Sequence, residues 1–240
     1  MNEHSGNKQP VELSAESPLR FACHAGLPCY TQCCRDVNIY LTPYDVLRLR
    51  RATKLSSRAF LDRYTRHFLA KVTHIPVVQL AMNPDTLYCP FVTEDGCRVY
   101  EDRPWACRMF PLDLAGPPGR YRLIRGNDRC LGLLEKDAWT AGRWLESQGV
   151  GPYMRMEEEF QAVMPAGFEP GQRLDAGLGK ILFLAYDLDR FARMVGDRRF
   201  RSFYGVDDEV LNQLQEDDEA LLRLAFRYIR SQMEELIRLV

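Results

Sequence analysis

The sequence predicts an α+β fold: a small cysteine-rich domain of short strands and helices, followed by an all-helical C-terminal extension. Three observations carry that expectation. All eight cysteines precede residue 131, and residues 131–240 contain none, so the chain divides by composition. Short apolar and β-branched runs bounded by turn residues occupy the first half, the pattern of strands. The second half repeats apolar residues at a spacing of three and four, the pattern of helices burying one stripe. The expected division is a mobile segment over 1–20, a cysteine domain over 21–132 and a helical region over 133–240.

Residues 21–40 read as a cysteine-rich loop. LTPYDVLRLRRAT, from Leu41, reads as a helix: Thr42 can cap it, Pro43 suits its first turn, and Asp45 stands where a capping box needs an acid. A second helix is expected after Ser56 or Ser57, running through AFLDRYTRHFL to Leu69. IPVVQLAM, 75–82, reads as a strand, and YRLIR, 121–125, as a shorter one. Between them, CPFVTEDGCRVYEDRPWACRMFP predicts a hairpin of 88–93 with 97–101. A three-residue Glu94-Asp95-Gly96 loop would set Thr93 opposite Cys97 and leave Cys89 on the same face; a two-residue Asp95-Gly96 loop would turn them apart. Asp102 is placed to cap a short helical turn, beginning at Arg103-Pro104, that carries Cys107.

Further on, KILFLAYDLDRFARMV, 180–195, reads as one helix with Ile181, Leu184, Ala185, Leu188, Phe191, Ala192 and Val195 along its buried stripe. Leu222, Ala225, Ile229, Met233, Leu236 and Val240 repeat the pattern near the end. These stripes are core. Gly and Pro at 149–152 and 165–171 mark loops. The GLGK at 177–180 adjoins a helix pattern instead of following a strand, so it is not read as a nucleotide loop.

Composition excludes several classes. With 240 residues, 46% hydrophobic and 27% charged, the chain can bury a core without cross-links and is neither fibrous nor disordered in composition. Its polar start lacks the apolar core of a secretory signal, and no run reaches the roughly 18 apolar residues of a membrane span. No membrane association is expected, and a cytoplasmic location is. In a reducing compartment eight thiols point to metal or redox chemistry rather than to disulfides. The net charge of −1 hides two runs. Arg48, Arg50, Arg51, Lys54, Arg58, Arg63, Arg66 and Lys71 crowd 41–71, while 207–219 is acidic. Both runs read as solvated helix faces, with a surface for an acidic protein partner on 41–71 as the alternative.

The thiols themselves are spaced Cys23-x5-Cys29-x3-Cys33-Cys34, then Cys89, Cys97, Cys107 and Cys130. Thiolates bind zinc and iron strongly, and four of them close a tetrahedral zinc site or hold a cubane cluster. Eight is twice four. The alternative is that the thiols are small buried core residues. The adjacent pair Cys33 and Cys34, if extended, would point to opposite sides and serve two metals, or one as ligand and one as packing. An iron–sulfur cluster and a zinc or iron ion suit such a donor set equally.

CPF, then GC-x-VY-x-x-RP-x-x-CR-x-FP, together with an upstream cluster ending in CC and an intervening LTPYD-V-x-RL, resembles the YkgJ-like cysteine-cluster family, also called the CxxCxxCC or zinc/iron-chelating domain family. The resemblance covers about residues 21–132. It implies a zinc- or iron-chelating domain whose ligands fall on Cys23, Cys29, Cys33, Cys34, Cys89, Cys97 and Cys107, with Cys130 added. A related cysteine domain occurs in flagellin lysine N-methylases, which implies a metal-dependent protein-modifying enzyme as the alternative activity. Here x5 and x3 replace the two x2 spacers. His24 reads as a surface or neighbouring group, and His67 and His74 as structural. Arg103 and Arg108 flank Cys107 and either favour its thiolate or pair with Glu101 or Asp102. Trp105, Phe91 and Phe110 read as shields of the site rather than platforms for a nucleobase, so nucleic acid is not an expected partner.

Overall fold

The computed structural model describes residues 12–116, 119–124, 129–165, 167–169 and 171–237. It is an α+β protein whose strands pair only in twos. Pro18–Arg20 (β1) pairs antiparallel with Ala138–Thr140 (β8), and Thr65–Leu69 (β2) with Pro76–Leu80 (β3). Val92–Thr93 (β4) pairs with Gly96–Cys97 (β5), and Leu112–Leu114 (β6) with Tyr121–Leu123 (β7). The helices are Pro43–Thr53 (α1), Ser57–Tyr64 (α2), Trp105–Met109 (α3), Ala141–Ser147 (α4) and Gly151–Gln161 (α5). Ala176–Leu182 (α6), Leu188–Gly196 (α7), Arg198–Tyr204 (α8), Asp208–Glu216 (α9) and Asp218–Ile237 (α10) complete them. No described helix is long and apolar enough to cross a membrane.

Local signals explain the helix starts. The expected capping box forms: the Thr42 hydroxyl accepts from the Asp45 N–H at 3.1 Å and the Asp45 carboxylate from the Thr42 N–H at 2.8 Å. Ser56 caps α2 by accepting from Ala59 N–H at 3.2 Å. That second helix stops at Tyr64 rather than continuing to Leu69. The β-branched Thr65 turns its hydroxyl back to the Leu61 carbonyl at 2.7 Å, and Thr65–Leu69 gains a full ladder against β3. Pairing to a distant strand outweighs local helix propensity.

The helix expected over 180–195 is likewise broken. A 3-10 turn over Phe183–Ala185 separates α6 from α7, and Asp187 caps the new start by accepting from Arg190 N–H. The predicted stripe survives the break: Leu184, Ala185, Leu188, Phe191 and Val195 are buried. In α10, Leu222, Ala225, Ile229 and Met233 are buried too, whereas Val240 lies outside the described residues, as does Arg125 of the expected 121–125 strand.

Three apolar cores result. The largest joins Tyr44 and Leu47 of α1 to α5, α6, α7, α9 and α10. The second packs Val46, Leu49, Phe60, Leu61, Val78, Leu80, Phe91 and Val99 with Tyr186. The third gathers Leu19, Phe21, Met109, Leu112, Tyr121, Trp144 and Leu145. All three take residues from both sides of position 132. The β1–β8 pairing does the same, and Leu13 bridges Tyr121, so part of the 1–20 segment is held in β structure.

Polar ties link the halves. Ser57 is fully buried; its hydroxyl donates to Asp187 at 3.0 Å and accepts from the Asp189 N–H at 2.9 Å. Ser57→Ala leaves Asp187 short of a partner and is expected to cost about 2 kcal/mol. A denaturant midpoint unchanged from wild type would refute this. The charge runs also meet: Arg50 and Arg51 pair with Asp218 at 2.6 and 2.8 Å, while Arg48 pairs outside the acidic run, with Asp102 at 2.6 Å.

A buried acid on α5 gives the fold a pH dependence. One Glu157 oxygen accepts from Gln161, and the other is buried without a partner among the described residues. Burial raises its pKa from 4.5 to about 7, opposed by the Gln161 bond and aided by the Asp45 charge. The folded protein therefore holds a proton that the unfolded chain releases lower, so stability falls as pH rises from about 4.5 to about 7. Glu157→Gln is expected to stabilise by roughly 2 kcal/mol at pH 8 and by much less at pH 5. Equal gains at both pH values in thermal unfolding would overturn this assignment.

Candidate metal centre

The eight cysteines are free thiols, and backbone hydrogen bonds draw them together from four chain segments. Over 24–34 the chain folds through successive tight turns: Leu27 N–H donates to the His24 carbonyl, Gln32 N–H to that of Cys29, and Cys34 N–H to that of Thr31. Cys33 and Cys34 fall in a 3-10 turn, Gln32–Cys34, after Thr31 at φ 65°. The extended geometry expected of the pair is therefore not adopted, because a 3-10 turn rotates successive side chains by about 120°.

Two junctions gather the remaining cysteines. At the first, Ala22 N–H donates to the Gly132 carbonyl at 3.1 Å, and the Cys29 sulfur accepts from Leu131 N–H at 3.3 Å. That joins the 22–29 loop to Cys130. Gly132 is required there, since a Cβ would stand 2.3 Å from the Ala22 carbonyl oxygen. At the second, Cys89 N–H donates to the Cys34 carbonyl at 2.8 Å, with Arg35 bridging Tyr88 beside it. Cys89 opens a turn closed by Val92 N–H, and the β4–β5 hairpin returns the chain to Cys97.

The hairpin register differs from the expected one. Val92 faces Cys97 and Thr93 faces Gly96, so the loop is the two residues Glu94-Asp95, and Gly96 is the first residue of the return strand. Gly96 has φ 119°, a conformation in which only glycine is unstrained. Cys89 nonetheless stays near Cys97, because 89–91 is a turn and the strand alternation never reaches it.

Cys107 is the third residue of α3, and its helix is capped from elsewhere than predicted. The carboxylate of Asp45 accepts from Trp105 N–H at 2.7 Å, while Asp102 is occupied by Arg48. Asp45, fully buried, thus caps both α1 and α3. Burial pushes its carboxyl up to about 6 against the Thr42 and Trp105 N–H groups and the Arg108 charge. Nothing local in the sequence marks this second role; the residues are sixty positions apart.

Electrostatics group the sulfurs. The Cys23 thiol, although it reaches solvent, is pushed up to about 11 by desolvation from the surrounding loop and by Cys33, Cys130 and Cys29. Cys107 is raised by burial first and then by Cys89, Asp45, Cys97 and Cys33. Cys34 is raised by the adjacent Cys33 thiol, by burial and by Cys107 and Cys89, while the Cys34 thiol lowers Cys33 to about 7. Backbone N–H groups two or three residues on oppose these shifts at Cys89, Cys97 and Cys130. Such N–H groups favour a thiolate. Mutual repulsion prevents the set from ionising together unless a cation joins it.

Arg103 and Arg108 are both 7% exposed. Neither forms an ion pair with Glu101 or Asp102. Arg103 donates to the Tyr100 carbonyl and the Gln148 side chain, at 2.6 and 2.7 Å, and lies over the Tyr100 ring. Arg108 donates to the carbonyls of Arg103, Gln148 and Glu101 and lies over Tyr153. Arg103 thus buries its charge beside Cys97 and Cys107, and Arg108 buries its own beside Asp45 and Tyr153, both with mainly carbonyl partners. The histidines are engaged otherwise: His24 accepts from Gly26 N–H, His67 meets Thr65, and His74 meets the Leu174 carbonyl. Phe91 is buried in the second core.

Among the described residues no three Cys, His, Asp or Glu side chains already stand at metal-ligand spacing. The fit to a metal therefore lies in the chemistry of the donors: eight gathered thiols, N–H groups directed at sulfur, and a buried cation alongside. Surface depressions of about 570 and 370 Å³, lined by residues such as Arg190 and Phe200 or Tyr121 and Val150, include no cysteine.

Residues 22–136 match the family model CxxCxxCC, described as a "putative zinc- or iron-chelating domain". No curated protein and no solved structure matches the chain.

Proposed function

From the membership of residues 22–136 in the CxxCxxCC family of zinc- or iron-chelating domains, we propose that this protein holds zinc or iron, as ions or as an iron–sulfur cluster, on the thiolates of Cys23, Cys29, Cys33, Cys34, Cys89, Cys97, Cys107 and Cys130. The observation that carries the reading is the burial of Arg103 beside Cys97 and Cys107, with no carboxylate among its partners in the described residues. A buried charge without a counter-charge costs several kcal/mol. Four thiolates around a divalent cation carry a net charge of about −2, which supplies it. Bound there, the metal would supply a cross-link between the cysteine-bearing segments. Arg103 would favour the ionised ligands, and the N–H groups after Cys89, Cys97 and Cys130 would hold their sulfurs in place.

A reducing, cytoplasmic setting keeps such thiols available. Lys54, Arg63, Arg66 and Lys71, all exposed, are the groups through which an acidic protein partner would engage the 41–71 segment. Anaerobic purification followed by elemental analysis for zinc, iron and acid-labile sulfide tests the metal reading. Iron with matching sulfide identifies a cluster, zinc alone identifies an ion site, and protein without either metal after loading refutes it. Binding of S-adenosylmethionine by the metal-loaded protein would instead favour the protein-modifying enzyme.

A further inference from the structure

Resting on that reading, we infer that the eight thiols form two separate four-thiolate centres, one from Cys23, Cys29, Cys33 and Cys130 and the other from Cys34, Cys89, Cys97 and Cys107, with the chain passing from one to the other between two adjacent residues. The backbone divides them. The Ala22–Gly132 hydrogen bond and the Leu131 N–H on the Cys29 sulfur fasten the 22–29 loop to Cys130. No such bond ties that loop to Cys89 among the described residues. Cys34, in contrast, is fastened to Cys89 by its own carbonyl. From Cys89 the turn and hairpin lead to Cys97, and the Asp45 cap sets the helix of Cys107.

The 3-10 turn at Gln32–Cys34 makes the division workable. Successive side chains leave such a turn about 120° apart, so Cys33 and Cys34 can each face one junction without a change of backbone. Ligand number agrees: four thiolates close a tetrahedral zinc site or hold a cubane, and two sets of four use every cysteine in the chain. A single centre would leave four gathered thiols without a role.

The two centres differ in surroundings. Cys23 and Cys33 are exposed, whereas the four thiols of the second set are all half-buried. Arg103 lies by Cys97 and Cys107 of the second set, and Cys89 and Cys97 pack against the second core, which holds Phe91 and Val99. A chelator in solution reaches the first set sooner. The solvent-facing centre is the exchangeable one, and the enclosed centre is structural.

The test uses the full chain, loaded anaerobically with zinc, or reconstituted with iron and sulfide where iron is the metal found. Metal per chain is measured for Cys→Ala variants, with circular dichroism to register folding. Cys130→Ala and Cys97→Ala should each retain about half the wild-type metal. Pairing distinguishes the halves: Cys33→Ala with Cys130→Ala should still retain about half, while Cys34→Ala with Cys130→Ala should retain almost none. Gly132→Val, which touches no ligand, should behave as Cys130→Ala. Transfer of metal from wild-type protein to a competing chelator should run in two phases of about equal amplitude, the faster absent from Cys130→Ala. Single-phase transfer, or loss of all metal in a folded single variant of either set, overturns the partition while leaving metal binding intact. Wild-type protein that takes up no metal overturns the underlying reading instead. If a variant fails to fold, the wild-type transfer phases decide.

Discussion

Asp45→Ala is expected to destabilise the metal-loaded protein by about 3 kcal/mol and to speed release of metal from the Cys107 set several-fold. One carboxylate closes the start of α1 through Thr42 N–H and the start of α3 through Trp105 N–H. Losing an N-terminal cap costs about 1 kcal/mol, and leaving a buried N–H without a partner costs about 1–3 kcal/mol more. Both losses fall on one side chain with no exposed surface, so water cannot easily replace it. The effect on the metal follows from position. Trp105 begins the short helix that carries Cys107, and a five-residue helix without its cap has little else to hold its pitch. Asp45→Asn is the informative comparison: its amide keeps one acceptor but turns an NH2 toward the other N–H. It should fall between wild type and Asp45→Ala in both measurements. Denaturant titration and chelator transfer on all three proteins check this. A midpoint for Asp45→Ala within 1 kcal/mol of wild type, with transfer unchanged, would show that the double cap is not needed.

Gly96→Val should produce a loss of similar size by another route. At φ 119° the backbone lies outside the region open to β-branched residues, and a Cβ there would stand 2.4 Å from the Tyr30 hydroxyl oxygen. Tyr30 can swing away, but the dihedral strain remains, and strain of this kind costs about 1–3 kcal/mol. Cys97 is the next residue and faces Val92 across the ladder, so relaxing the strain shifts a proposed ligand. The expected result is a stability loss of about 3 kcal/mol, with metal retained only by the set that contains Cys130. Gly116→Val provides the contrast at an open position: no atom lies within 4 Å of its Cβ, although its φ is 145°. It should cost stability yet leave metal content at the wild-type value. If both variants keep all their metal, the hairpin does not position a ligand.

What the sequence made legible was local. The α1 start was readable because Thr42, Pro43 and Asp45 lie within four residues and their roles follow from one turn of helix. The strand at Pro76–Leu80 and the buried stripes of α7 and α10 were readable for the same reason: their periodicity is contained in a short window. Misreadings arose where a distant partner decided. Thr65–Leu69 left the helix for a strand because β3 was there to pair with it. The cap on α3 came from Asp45 rather than the nearby Asp102, which had been taken by Arg48. The hairpin loop shortened by one residue, since the strained glycine fits the first strand position better than the last loop position. At the thiols, cysteine spacing pointed to a donor set but not to any grouping. The proposed grouping rests on the Ala22–Gly132 and Cys34–Cys89 hydrogen bonds, which carry no mark in either residue type.

The ends of the chelating segment lie side by side. Phe21 N–H donates to the Asp137 carbonyl at 3.2 Å, and β1 and β8 run antiparallel immediately outside it. A stretch of more than a hundred residues therefore begins and ends at one point, an arrangement that lets a segment be spliced in without forcing its flanks apart. Its packing is not self-contained: α5, α6 and α10 cover Tyr44 and Leu47, Tyr186 joins Leu49 and Phe60, and Trp144 and Leu145 close on Met109 and Leu112. Transplanting the segment into another protein would require replacing that cover on every side, the strand junction included.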